Sequence, residues 1–86
     1  MSVRDKILLQ LKAHPMLEDR PAPQECTQGG LSEATGASQT YLAQQLYILQ
    51  LEGMVEGRTC RIRGGKRRVM AYRLTEKGRS ALSMLR

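Results

Sequence analysis

Basic side chains are concentrated near the C-terminal end of this 86-residue sequence. Residues 58–86 contain ten lysines and arginines and one acidic residue, whereas residues 1–57 contain four basic and seven acidic residues. A field of one sign attracts polyanions, so the expected chemistry is binding of nucleic acid or of an anionic membrane surface. The cations that we single out for contacts with phosphate groups are Arg58, Arg61, Arg63, Lys66, Arg67, Arg68 and Arg73. The alternative is an edge hairpin that charge protects from aggregation, but that role does not require seven cations.

A second candidate group is a run of uncharged polar side chains in the middle of the chain. The amide of glutamine can pair with adenine through two hydrogen bonds, and hydroxyl groups can contact either base edges or phosphates. The candidates for contacts with bases are Ser38, Gln39, Thr40, Tyr41, Gln44 and Gln45. The alternative is that they are ordinary solvated residues.

The remaining composition argues against several other functions. His14 is the only histidine, and Cys26 and Cys60 are too few and too far apart for a disulfide framework or a zinc-ligand pattern, so no metal or other cofactor is expected. We expect both thiols to be reduced, although the sequence leaves a single bridge between them open. Catalytic motifs, paired carboxylates and a phosphate-binding glycine loop are missing, so an enzyme is not expected. Three tyrosines are the only aromatic residues, which is too few for stacking on single-stranded bases.

The sequence also predicts the location of the protein. Residues 1–10 are charged and lack the apolar run of a secretion signal, and no stretch approaches the length of a membrane span. Basic residues alternate along a predicted strand and do not line an amphipathic helix, so a membrane partner is not expected. We therefore expect a cytoplasmic protein.

The first two predicted helices follow from capping residues and apolar spacing within what we expect to be a single domain over residues 1–86. Ser2 can cap a helix over residues 2–14, which must end before Pro15. Three prolines predict an acidic loop over residues 15–26, which we interpret as a spacer or a contact surface. Thr27 can cap a short helix over residues 27–35, with Leu31 and Ala34 facing inward.

The third helix is predicted over residues 38–53, separated from the second by a three-residue turn in which Gly36 suits a left-handed stop. This is the helix-turn-helix pattern. Its buried stripe is Leu42, Leu46 and Leu49, so Thr40, Gln44, Tyr47 and Leu51 point away from the core. A β hairpin follows over residues 55–74, with Met70, Tyr72 and Leu74 on one face. Thr75 can cap a last helix over residues 76–86.

The run "TQGGLSEATGASQTYLAQQLYILQLEGMVEGR…GGKRRVMAYRLTEKGR" resembles the winged helix domains of MarR-type transcription regulators and related archaeal and bacterial DNA-binding modules. The resemblance extends over residues 27–79, and residues 3–12 fit the first helix of the family. It implies a mainly helical α+β fold, a winged helix-turn-helix with a three-helix core, a wing of two or three strands and a C-terminal helix. The residues that carry it are Gly36, Ser38, Leu42, Leu46, Leu49, Gly53 and Val55.

The resemblance implies double-stranded DNA as the partner, a third helix that enters the major groove, and a basic wing on the backbone or minor groove. It further implies a transcriptional regulator that is a homodimer or a domain of a longer protein. The sequence departs from the family in having no lysine or arginine between Pro21 and Gly57. This departure, together with Tyr47, Ile48 and Leu51 outside the core stripe, leaves a protein–protein interaction module as the alternative.

Overall fold

The computed structural model describes residues 2–17 and 20–84. It confirms a mainly helical α+β fold in which three helices precede a two-stranded antiparallel sheet and a last helix. A single turn of 3-10 helix, Gln24–Cys26, lies between the first two helices. The elements are α1 (Val3–Ala13), α2 (Gln28–Thr35), α3 (Gln39–Leu51), β1 (Val55–Arg61), β2 (Arg68–Leu74) and α4 (Glu76–Ser83).

Hydroxyl side chains begin all four of these helices, as predicted. In each case the oxygen accepts a hydrogen bond from a backbone N–H of the first turn, with oxygen–nitrogen distances of 3.1–3.2 Å. Such a cap pairs a donor that the helix itself cannot satisfy and is worth about 0.5–2 kcal/mol relative to alanine. The capping residues are Ser2, Thr27, Ser38 and Thr75.

A tight turn joins α2 to α3. Gly36 ends α2 in the left-handed region at φ 74°, which glycine adopts without a steric penalty. The hydroxyl of Ser32 donates to the carbonyl oxygen of Ala37 at 2.6 Å, and the hydroxyl of Thr35 donates to that of Leu31 at 2.7 Å. These bonds tie the end of α2 to the turn that leads into α3.

The hydrophobic core is built around α3. Leu42, Leu46 and Leu49 are at most 1% exposed, which confirms the predicted stripe. They belong to one buried cluster with apolar side chains of α1, α2, both strands and α4. Ala34 was predicted to face inward but is exposed, and the side chain of Thr35 is buried in its place. Thr35 can be buried because its hydroxyl is paired with the backbone.

The proline-rich segment is more ordered than a spacer. Ala22 forms an isolated parallel bridge with Ile62, through backbone hydrogen bonds of 2.8 and 2.9 Å to Arg61 and Arg63. The thiol of the buried Cys26 donates to the carbonyl oxygen of His14 at 2.8 Å. Residues 20–26 therefore pack between α1 and the hairpin. The role of this loop as a spacer or a contact surface stays a prediction, and residues 18 and 19 lie outside the described residues.

The hairpin is buried at its base and exposed towards its tip. Its strands pair in register from Val55 opposite Leu74 to Arg61 opposite Arg68. Tyr72 and Leu74 are buried as predicted, but Met70 is 46% exposed because the hairpin extends beyond the core at this point.

Helix α4 ends at Ser83, and its Leu82 is buried in the core. The next residue, Met84, is 83% exposed, and the last two residues of the predicted helix lie outside the described ones. None of the helices described here has the length and the apolar content needed to span a membrane.

Two helical glycines provide a test of this packing. A Cβ atom at Gly78 would lie 2.1 Å from the carbonyl oxygen of Met54, whereas at Gly29 it would find no atom closer than 4.0 Å. We expect Gly78→Ala to lower the free energy of unfolding by about 1–3 kcal/mol. The control Gly29→Ala should leave it unchanged or raise it by up to about 1 kcal/mol, because alanine favours helix. Urea denaturation measures both, and similar changes for the two variants would contradict the close packing of α4.

The buried thiol of Cys26 provides a second test. Burial, with smaller effects of Glu25 and Cys60, raises the pKa of this thiol from 9.0 to about 11. Between these values the unfolded chain releases a proton that the folded chain retains, so stability falls as pH rises. We expect the free energy of unfolding to fall between pH 8.5 and 10.5 by roughly 1–2 kcal/mol more in the wild type than in Cys26→Ala. Cys60→Ala is the matched control and should retain the steep decline. Parallel pH profiles for the wild type and Cys26→Ala would refute this assignment.

Candidate nucleic-acid interface

An open groove of about 1360 Å³ separates the N-terminal end of α2 from the tip of the hairpin. The first turn of α2 forms one wall, where Gln28 is half-buried and Gly29 is exposed. Arg63, Lys66 and Arg67 of the hairpin form the opposite wall, and Glu25 and Glu33 lie on the α2 side. The positive charge of the groove is therefore concentrated on the hairpin wall, which is the part that favours an anionic ligand.

The backbone holds the tip of the hairpin in place. Gly64 has φ 80°, and the N–H of Gly65 donates to the carbonyl oxygen of Ile62 at 2.9 Å, which closes a turn. The side-chain amide of Gln24 donates to the carbonyl oxygen of Arg63 at 3.3 Å. The 3-10 helix that carries Gln24 therefore supports the connection from which the basic side chains project.

Six of the seven predicted wing cations are exposed. Arg61 and Arg68 lie directly opposite each other on the two strands, an arrangement of like charges that destabilises a sheet. A Nη of Arg68 donates to the carbonyl oxygen of Thr59 at 3.3 Å, which leaves the rest of its guanidinium free for another acceptor. Repulsion between these like charges opposes strand pairing at the distal end of the hairpin.

Arg73 differs from the other wing cations. Its side chain is 34% exposed and pairs through Nε with the carboxylate of Glu56, which lies opposite it in the sheet. An arginine that is already paired with a carboxylate has fewer free N–H donors, and less uncompensated charge, for a phosphate. Arg58 lies at the same end of the hairpin as Arg73, beside Cys60 and away from the large groove.

The predicted base-reading residues lie at the exposed N-terminal end of α3. Ser38, Gln39, Thr40, Tyr41 and Gln44 are exposed, and Gln45 is half-buried. The side-chain amide of Gln28 donates to the carbonyl oxygen of Gln39 at 3.2 Å. Since Gln28 also lines the groove, the start of α3 lies next to the wall that α2 contributes.

Farther along α3 the outward face becomes apolar. Tyr47 is 63%, Ile48 41% and Leu51 70% exposed, which is unusual for side chains of this kind. The apolar patch that the sequence analysis considered is therefore present on α3. Met84, which follows α4, is also exposed, and Leu85 lies outside the described residues.

Sequence reasoning missed the contribution of α2 to this surface. Gln24, Gln28 and Gly29 line the groove but carry no charge, so no charge pattern singled them out. The available signal was the pair Gly29–Gly30 at the start of a helix. Gly30 is required because a Cβ there would lie 2.2 Å from the carbonyl oxygen of Gln24, whereas Gly29 has open space. Within residues 2–17 and 20–84, histidine, cysteine and acidic side chains form no group that could hold a metal ion.

Comparison with solved structures identifies the fold. The chain superposes on a MarR family transcription regulator, SP03579, with a TM-score of 0.72 and 23% identity over 96% of its length. It superposes on the transcriptional regulator PA3341 with a TM-score of 0.69 and 27% identity over 95%. It superposes on the DNA complex of ZitR from Lactococcus lactis with a TM-score of 0.61 and 16% identity over 96% of its length. The chain has the winged helix fold of MarR-type regulators.

The predicted resemblance to the winged helix domains of MarR-type regulators is thus confirmed. The chain spans about half the length of these three structures, 47%, 52% and 49% respectively. No protein-family model and no curated protein matches the sequence.

The ion pair at the base of the wing can be measured independently of any ligand. We expect a double-mutant cycle of Glu56→Ala and Arg73→Ala to give a coupling free energy of about 0.2–1 kcal/mol that shrinks as salt is added, because both side chains are partly exposed. The corresponding cycle of Glu56→Ala and Arg58→Ala is the control and should give less. Equal coupling in the two cycles would show that Arg73 is as free as the other wing cations.

Proposed function

We propose that this chain binds double-stranded DNA and acts in a transcriptional regulator. The observation that carries the proposal is that the basic tip of the wing lines one groove with the first turn of α2, where the side chain of Gln28 bonds to the polar start of α3. In a helix-turn-helix, the second helix reads base edges in the major groove while neighbouring elements hold the phosphates. The named DNA complex among the structural neighbours supports the same function for this fold.

In this proposal α3 contacts bases and the wing supplies most of the affinity. Gln44 and the hydroxyls near the start of α3 are the base-reading groups. Arg61, Arg63 and the tip cations neutralise phosphates along the backbone or minor groove. Neutralising four to six phosphates gives a slope of about −4 to −5 for the logarithm of the binding constant against the logarithm of salt concentration.

The proposal extends to the biological setting. We propose a cytoplasmic, non-enzymatic regulator that acts as a homodimer or as one domain of a longer protein.

A protein–protein interaction module is the second candidate. The exposed apolar side chains Tyr47, Ile48 and Leu51 favour it, because a helix face of this kind can also dock on a partner protein. The basic wing favours DNA, and the salt dependence of binding separates the two candidates.

Fluorescence anisotropy with a random-sequence duplex across a salt series tests DNA binding. We expect micromolar affinity at low salt and a steep loss as salt rises. Changing Lys66, Arg67 and Arg68 together to Ala should flatten the slope by about 2–3 units, because each phosphate contact contributes roughly 0.9.

The matched control changes Lys6, Lys12 and Arg79 to Ala, which removes the same charge from exposed positions on α1 and α4. This variant should keep the wild-type slope. An equal loss of slope in both variants would mean that net charge, and not the wing, governs binding. Absence of any binding at low salt would overturn the proposed function and favour the protein-interaction module.

A further inference from the structure

We propose that the outward face of α3 is specific for A·T base pairs and recognises the methyl groups of thymine through Tyr47 and Ile48. This inference rests on the proposed DNA-binding function and assigns the kind of sequence that the same surface selects. It is carried by the chemistry of the exposed side chains on α3 and by their position beside the basic groove.

The first argument is what α3 lacks. Guanine is recognised in the major groove chiefly by two hydrogen bonds from the charged end of an arginine or lysine. Neither residue occurs between Pro21 and Gly57, a range that includes all of α2 and α3. Glu52, which could accept from cytosine, is instead paired with Arg4 at 2.5 Å. The helix therefore carries none of the charged groups that favour G·C pairs.

The second argument is what α3 presents. The side chain of Gln44 is exposed at the centre of the outward face, and glutamine matches the donor and acceptor pattern of adenine. Thr40 lies one turn earlier on the same face and can contact either a base edge or a phosphate. These two uncharged side chains can form hydrogen bonds with A·T pairs without a charged residue beside them.

The third argument concerns the apolar side chains beside Gln44. Tyr47 and Ile48 are 63% and 41% exposed, so a large part of each side chain remains available to a ligand. In the major groove the methyl group of thymine is the apolar feature that distinguishes A·T from G·C pairs. Burial of this methyl group against an apolar side chain is favourable by about fourfold in affinity for each methyl.

The fourth argument is why DNA, and not a protein, covers this face. The start of α3 adjoins the groove through the bond from Gln28 to Gln39, and the groove carries Arg63, Lys66 and Arg67 on its other wall. A partner that covers both surfaces must combine dense negative charge with exposed methyl groups. A·T-rich duplex DNA has both properties.

The experiment compares duplexes that differ only at the methyl position. Binding of the wild-type protein is measured by fluorescence anisotropy at one salt concentration to an alternating dA-dT duplex and to its dA-dU counterpart, which lacks every thymine methyl. Two further probes are an alternating dG-dC duplex and the same duplex with 5-methylcytosine, which restores a methyl group at that position.

We expect dA-dU to bind about four- to fifteenfold more weakly than dA-dT, which corresponds to one or two buried methyl groups. The duplex with 5-methylcytosine should bind more tightly than plain dG-dC. Tyr47→Ser and Ile48→Ser should each reduce the ratio between dA-dT and dA-dU. Met84→Ser, which changes an exposed apolar residue just after α4, is the matched control and should keep the wild-type ratio.

Each other outcome overturns a stated part of the inference. Equal affinity of the wild type for dA-dT and dA-dU, with binding retained, refutes the inference and leaves the proposed function intact. Absence of binding to all four duplexes refutes both. A wild-type ratio that persists in folded Tyr47→Ser and Ile48→Ser refutes the assignment to these side chains. Sedimentation that shows a dimer of the wild type but monomers of both variants, without any effect of the methyl groups, assigns the face to a second copy of the chain. The affinities of the wild-type protein for the four duplexes test the inference even if a variant does not fold.

Discussion

Burial of one stripe of α3 is the interaction on which the rest of this structure depends. Leu42, Leu46 and Leu49 lie in the same core as the buried side chains of every other helix and of both strands. Because a helix that buries one face must present the opposite one, this packing also determines which side chains of α3 are offered to a ligand. The capped turn at Gly36 then fixes the orientation of α3 relative to α2, and with it the direction in which that face points.

The wing depends on the core in a less direct way. A two-stranded hairpin is only marginally stable by itself in water, and the distal half of this one is exposed. The segment before α2 compensates, since Ala22 pairs with the strand end at Ile62 and Gln24 bonds to Arg63. Support from this segment lets the tip carry a concentration of positive charge that the hairpin could not hold in place alone.

Features that cost stability are concentrated on the proposed DNA-binding side. Arg61 faces Arg68 across the sheet, Tyr47 and Ile48 expose apolar surface, and Gly29 occupies a helical position where alanine would fit. A sequence shaped by folding alone would avoid these choices. We interpret these choices as favouring the proposed DNA ligand.

Local chemistry made much of this protein predictable from its sequence. The caps, the left-handed glycine, the leucine stripe and the basic hairpin all arise from neighbouring residues, because hydrogen bonds to the first turn and periodic burial are short-range. Only the tertiary structure showed that the proline-rich segment packs against the wing, that Arg73 is paired with Glu56, and that α2 forms one wall of the groove. These features join residues distant in the chain, and neither spacing nor charge pattern specifies which distant surfaces meet.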